Sequence, residues 1–337
     1  MINSHDTFSP LKEIIIGDVD LDAVRFADPR RQERIEHIFK TTQEELQQFQ
    51  TLLESRGIVV HRPSMIPNTE INTPYWSTPG TKIPLTPRDL FFILGNTMIE
   101  SAVWGEERFF ESLYFRDIML QQFKRGAKWI SMPSPRHDYK HFEIGMDDEV
   151  PNQDPIMDAP ACLKYGKDVF VNTLGAGNRL GLQWLESTFG TEYAFHEIHD
   201  KILTGHLDSH FTILRPGLLI TYHDRNILPG YFKNWDIIKV DAEEDKKKSM
   251  SQVALDSRIQ DFDFSNTVLA VNCLSIDPNT VVMWDHYKSG TNIVKQFEKH
   301  GIEILFTPLT YSHFFNQGVT CVTLDLARHS PAGLIKY

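Results

Sequence analysis

The sequence predicts an α/β propeller in which five similar ββαβ units close into a ring, as one domain over residues 1–337. Three observations predict it. An extended apolar run, an amphipathic helix, a glycine and a second extended run recur in that order along the chain. Three of the units carry an additional strand in front, set off by a turn sequence. One further strand-like segment, VTCVTLDLAR near the C-terminus, has no neighbour in sequence and suits the first unit, which would close the circle and hide the sheet edges. The repeat alone also suits an open α/β sheet; the leftover strand argues for closure.

The first unit has LKEIIIGD from Leu11, a helix near Arg31 to Ser55, Gly57 and then IVVHRP. The second has LFFILG from Leu90, a helix near Glu107 to Lys124, Gly126 and AKWISMP. The third has DVFVNT from Asp168, a helix near Leu180 to Thr188, Gly190 and YAFHEI. The fourth has LLITY from Leu218, a short segment around Tyr231 to Trp235 and DIIKV. The fifth has TVVMW from Thr280, a helix near Asn292 to His300, Gly301 and IEILFTP. Val, Ile and Phe dominate the runs, as in strands. The glycines stand where a helix end favours positive φ. The leading strands are APACLKYG, SHFTILRPG and VLAVNCLSIDPN, the last two ending in the turn formers Arg215-Pro216-Gly217 and Asp277-Pro278-Asn279. The stretches Pro63 to Thr86 and Pro133 to Asp154 read as excursions that cover the site as lids.

Composition narrows the function. With 41% apolar and 23% charged residues, the chain can bury a sizeable core. A formal net charge of −11 disfavours nucleic acid and anionic lipid surfaces as partners, since both need a basic face. No run approaches the roughly 20 apolar residues of a membrane span, and the first ten residues show no secretory signal. The three cysteines, Cys162, Cys273 and Cys321, lack metal-type spacing, so a reducing cytoplasm with one reactive thiol is expected.

Polar residues recur just before the inner strand of a unit: Asp89, Asp158, His206 with Asp208, Ser265 with Asn266, and Cys321. In a ring of similar units, equivalent positions converge on the axis. A thiolate beside an imidazole makes a nucleophile with its proton carrier. One carboxylate can orient the imidazole, and two more can bind a planar guanidinium. Each also has a plainer reading. Cys273 and Cys162 sit in apolar runs and read as structural thiols. His206 is one of 14 histidines. Asp89 and Asp158 suit turns or caps, and Arg225 suits an exposed loop.

The segments SPLKEIIIG, PRDLFFILGNTMIES (87–101), RFFESLYFRDIMLQQFKRGAKW from Arg108, MDAPACLKYGKDVF (157–170), GHLDSHFTILRPGLLITYHDR (205–225) and GVTCVTLDLAR (318–328) resemble the arginine amidinotransferases. The resemblance runs in order over nearly the whole chain and implies the five-unit pentein propeller. It implies Cys321 as nucleophile, His206 as general acid/base and Asp158 as the carboxylate supporting it. It implies Asp89 and Asp208 as the guanidinium-binding pair, and Arg225, Ser265 and Asn266 as the groups meeting the substrate carboxylate. The implied reaction is ping-pong: L-arginine gives its amidino group to the cysteine, ornithine leaves, and an acceptor amine takes the group. No metal or organic cofactor is called for, and both monomer and homodimer are left open. An arginine hydrolase of the same fold and a non-catalytic binding propeller are the alternatives.

Two positions depart from the family pattern. Thr320 stands where a histidine commonly precedes the nucleophile, and Gly205 stands where glycine-accepting relatives carry a bulkier residue. The expected acceptor is therefore longer than glycine: lysine, or an amine intermediate of a guanidine-containing natural product.

Overall fold

The structure, a computed structural model, describes residues 2–21, 26–67, 70–74, 76–103, 105–135, 152–247, 267–288 and 292–329. Its strands in chain order are β1 (Leu11–Ile16), β2 (Val59–His61), β3 (Ile71–Asn72), β4 (Ser77–Thr78), β5 (Phe91–Leu94), β6 (Thr97–Glu100), β7 (Lys128–Ser131), β8 (Cys162–Tyr165) and β9 (Asp168–Asn172). They continue with β10 (Ala194–Ile198), β11 (Phe211–Arg215), β12 (Leu218–Thr221), β13 (Asp236–Lys239), β14 (Leu274–Asp277), β15 (Thr280–Trp284), β16 (Glu303–Thr307) and β17 (Thr323–Arg328).

Apart from the small β3–β4 hairpin, the strands form five three-stranded sheets of one design: β17-β1-β2, β5-β6-β7, β8-β9-β10, β11-β12-β13 and β14-β15-β16. In each, the first strand is antiparallel to the second and the second is parallel to the third. The parallel pair needs a crossover, and helices supply most of them. The longest is Pro29–Ser55, capped by Asp28 through the amide of Arg30. Its Ile35, Ile38, Phe39, Thr42, Leu46, Phe49 and Leu53 are buried at helical spacing, so one stripe faces the sheets. Helices Arg116–Lys124, Arg179–Phe189 and Ile293–Lys299 play the same part, while the fourth unit makes do with the single turn Gly230–Phe232. No helix among the described residues is long and apolar enough to cross a membrane.

The ring is closed by the ends of the chain, since β17 pairs with β1 from Leu11↔Arg328 to Ile16↔Thr323. The expected terminal pairing is therefore present. A narrow cavity of about 40 Å³ marks the axis. Residues of all five inner strands line it, among them Phe91, Cys162, Thr212, Ser275 and Asp325. These strands are almost wholly buried, yet apart from β5 each carries polar residues, among them Lys164, Thr212, Ser275 and Asp325. The second unit differs from its sequence reading. LFFILG holds the inner strand β5, and TMIE is the central one, so this unit too has a leading strand. The hairpin is joined at Gly95, whose φ of 58° permits the abrupt turn that hid it.

Beneath the mouth of the ring lies a buried ionic cluster. Asp325 accepts from Arg88 Nη2 at 2.9 Å, from Arg328 Nε at 3.1 Å and from Ser4 Oγ at 2.8 Å. Arg88 Nε also donates to the carbonyl of Thr320 at 2.7 Å, tying the cluster to the segment before Cys321.

Of the two expected lids, Pro63 to Thr86 forms the β3–β4 hairpin and brings Lys82 to the main cavity. Most of Pro133 to Asp154, the stretch 136–151, lies outside the described residues.

Candidate active site

One large cavity, of about 770 Å³, opens at the end of the ring where the inner strands begin. Asp89, Asp158, His206, Asp208 and Cys321 all line it, though 232 positions separate the first from the last. The ring geometry brings them together. Each stands just ahead of its own inner strand: β5, β8, β11 and β17. The fifth unit contributes Asn272, just ahead of β14.

Local structure fixes each group. Asp89 sits in the one-turn helix Pro87–Leu90, and Asp158 precedes the turn Ala159–Ala161. His206 precedes the turn Leu207–Ser209, on a loop anchored from below. There Asn172, fully buried at the end of β9, donates to the carbonyls of Leu203 at 2.6 Å and Gly205 at 2.8 Å. His206 Nε2 lies 3.1 Å from Asp158 Oδ2, a geometry in which a carboxylate can orient an imidazole. Asp208 Oδ2 accepts from Thr320 Oγ1 at 2.8 Å. Cys321 is partly exposed at the cavity wall, whereas Cys162 and Cys273 are buried free thiols as their apolar runs suggest.

A residue that sequence reasoning missed completes the acidic floor. Buried Arg108 donates to Asp89 Oδ2 at 3.0 Å and to Glu111 Oε2 at 2.7 Å, and its Nη1 lies 3.9 Å from Asp158 Oδ2. Two carboxylates around Arg108 cost less to bury than either would alone. The signal lay in RFFE at 108–111, where an i,i+3 pair of opposite charge interrupts an apolar stretch.

The electrostatics follow from burial and neighbours. Burial pulls the His206 imidazole down, but the hydrogen bond to Asp158 and the charges of Asp89, Asp158 and Asp208 outweigh it and hold it at about 9. Burial, then the charges of Asp208 and Asp89, push the Cys321 thiol well above its ordinary range, against the opposing pull of the Gly318 amide and Arg88. Burial also lifts Glu111, to about 7 despite Arg108. The site thus rests with its imidazole charged and its thiol protonated. The three aspartates that act on His206 gather negative charge in one part of the cavity, where a cationic group can bind.

Two expected positions, Arg225 and Gly205, do not line the cavity. Arg225 is exposed and does not line the cavity, because its Nη1 is held by the carbonyls of Lys233 at 2.9 Å and Trp235 at 2.6 Å. The cations on the cavity wall are Lys82, Lys246 and Arg108. Gly205 stands between the wall residues Thr204 and His206, and its φ of 74° favours glycine on backbone grounds. Ser265 and Asn266 lie outside the described residues. Among the described residues, no group of three or more His, Cys, Asp or Glu could hold a metal ion.

No protein-family model matches the chain. Individual relatives do. The chain is 30% identical over 358 aligned residues to inosamine-phosphate amidinotransferase 1 of Streptomyces glaucescens, covering 97% of each. It is 25% identical to the L-arginine:L-lysine amidinotransferase of Pseudomonas savastanoi pv. phaseolicola, covering 89% of this chain and 81% of that protein. The solved inosamine-phosphate amidinotransferase of Streptomyces griseus superposes with a TM-score of 0.81 at 27% identity, over 98% of both chains. Likeness of this extent, on a ring that gathers a thiol, an imidazole and an acidic floor, makes the chain a member of the amidinotransferases, enzymes that take an amidino group from arginine to an acceptor amine.

Proposed function

We infer that this enzyme moves the amidino group of L-arginine to an amine through a covalent intermediate on Cys321. The observation that carries the reading is the meeting of Cys321, the His206–Asp158 pair, Asp89 and Asp208 on one cavity. Asp89 and Asp208 hold the guanidinium of arginine. Its positive charge offsets the two carboxylates that, after burial, keep the thiol protonated, so the thiolate forms when the substrate is bound and its proton passes to solvent, His206 already carrying one. The sulfur attacks the guanidinium carbon, and a C–S bond forms. The C–N bond to the side chain breaks as His206 passes its proton to the departing amine, and ornithine leaves. An acceptor amine then gives a proton to His206, attacks the same carbon and releases the thiolate. Lys82 and Lys246, which line the cavity, meet the α-carboxylate.

The acceptor is longer than glycine. A cavity of about 770 Å³ is far larger than glycine requires. Lysine and amine intermediates of guanidine-containing natural products are the acceptors of choice.

The test is product analysis with L-arginine and a panel of amines, alongside mass spectrometry of the Cys321 peptide. Ornithine formed one-for-one with a new guanidino product, and an amidino adduct on Cys321 when no amine is present, support the reading. Citrulline or urea formed without an amine would replace it with hydrolysis. Glycine turned over as well as the longer amines would remove the acceptor assignment.

A further inference from the structure

Four of the five units place an acid or a thiol at the mouth of the ring: Asp89, Asp158, Asp208 and Cys321. The fifth places an amide, Asn272, only 2% exposed. Its contacts are unusual in number and direction. Its Oδ1 accepts from the backbone amides of Thr320 at 2.9 Å and Cys321 at 3.2 Å. Its own carbonyl accepts from the amide of Val319 at 2.9 Å. Its Nδ2 donates to the carbonyl of Asp208 at 3.2 Å. Gly318 makes the approach feasible, because a Cβ there would lie 2.2 Å from Asn272 Oδ1. The glycine two residues before Thr320 is thus accounted for by this one side chain.

The geometry points to Asn272 as the positioning residue of the nucleophile: it fixes the Cys321 turn against the loop that carries His206 and Asp208. This rests on Cys321 being the nucleophile. Asn272 directs the hydrogen bonds of its side chain to backbone groups of Thr320, Cys321 and Asp208. It sets the distance between the part of the site that attacks and the part that holds the substrate, and such spacing errors cost on the order of 100-fold for about 1 Å. The side chain must be an amide. An aspartate of the same shape keeps both acceptor bonds to the turn but cannot donate to the Asp208 carbonyl. It also adds a carboxylate near a thiol already raised by the charges of Asp208 and Asp89.

Asn272→Asp and Asn272→Ala test this in the full chain. The former keeps the size of the side chain and the bonds to the turn, so it remains informative should the latter fail to fold. Single-turnover formation of the Cys321 adduct should slow about 100-fold in N272D. Arginine affinity, measured by calorimetry on a Cys321→Ala background with and without N272D, should stay within about threefold, since the guanidinium clamp is intact. The pH midpoint of Cys321 alkylation by iodoacetamide should rise in N272D and stay lower in N272A. A merely structural role would lower the melting temperature and move none of these. Adduct formation at the wild-type rate in N272D, with an unmoved alkylation midpoint, overturns the assignment. Wild-type protein that forms no adduct on Cys321 overturns the nucleophile reading instead, and the substrate-free alkylation profile still decides the place of Asn272.

Discussion

The hydroxyl of Thr320 donates to Asp208 Oδ2 at 2.8 Å, so the residue before Cys321 is bonded to the carboxylate proposed to hold the guanidinium. A charge-assisted bond of this kind is worth about 1.5–3 kcal/mol. Thr320→Val should therefore raise KM for arginine about tenfold or more with a smaller effect on kcat, and Thr320→Ser should restore it. Steady-state kinetics on the pair decides the matter. Equal KM values for valine and threonine would mean that Asp208 is held without this bond.

Arg108 is the buried cation between Asp89 and Glu111. Arg108→Ala strands two carboxylates in a closed space, which costs about 3–5 kcal/mol. Thermal unfolding should show a fall on the order of 10 °C. Adding Glu111→Gln should recover part of it, because one stranded acid is then neutral. No recovery in the double variant would show that Glu111 is already protonated beside Arg108.

The pH dependence has a definite sign. The thiol lies well above its ordinary range and His206 titrates at about 9, so kcat/KM for arginine should climb from neutral pH towards about 9. Asp158→Asn removes the hydrogen-bonded charge that most raises His206. Its imidazole should then lose its proton at lower pH, and the profile should turn over earlier. An unchanged profile in D158N would remove Asp158 from its supporting role.

The same imidazole links pH to stability. Its folded value of about 9 lies above the ordinary 6.5, so its contribution is fully present below pH 6.5 and lost as pH rises through 9. Unfolding free energy should decline over that window in wild type and decline less in His206→Gln. Parallel curves for the two proteins would contradict the raised value.

Arg225 provides a contrast. Its guanidinium ties down Lys233 and Trp235 and stands outside the cavity. Arg225→Ala should leave KM for arginine within about twofold while costing about 1 kcal/mol of stability. Lys82→Ala or Lys246→Ala should raise KM. A large rise in KM for R225A alone would return the carboxylate to Arg225.

Much of this protein was written in the order of its residues. The repeat of apolar run, helix and glycine determined the sheet design, because strand and helix periodicities are local properties of the chain. The unattached strand after Cys321 announced the closure, because a buried edge must be paired. Asp89, Asp158, His206, Asp208 and Cys321 could be picked out together, since equivalent places in similar units face one axis. The hairpin inside LFFILGNTMIES escaped notice because a single glycine and asparagine make its turn within one apolar stretch. What tertiary structure alone decided was how polar groups partner across units. Arg108 enters the acidic floor from a helix-like segment, Arg225 is drawn away by two carbonyls of its own unit, and Asn272 takes up the amides of Thr320 and Cys321 from another unit. A side chain's choice of hydrogen-bond partner depends on distances of a few ångströms between distant parts of the chain, and no local pattern records them.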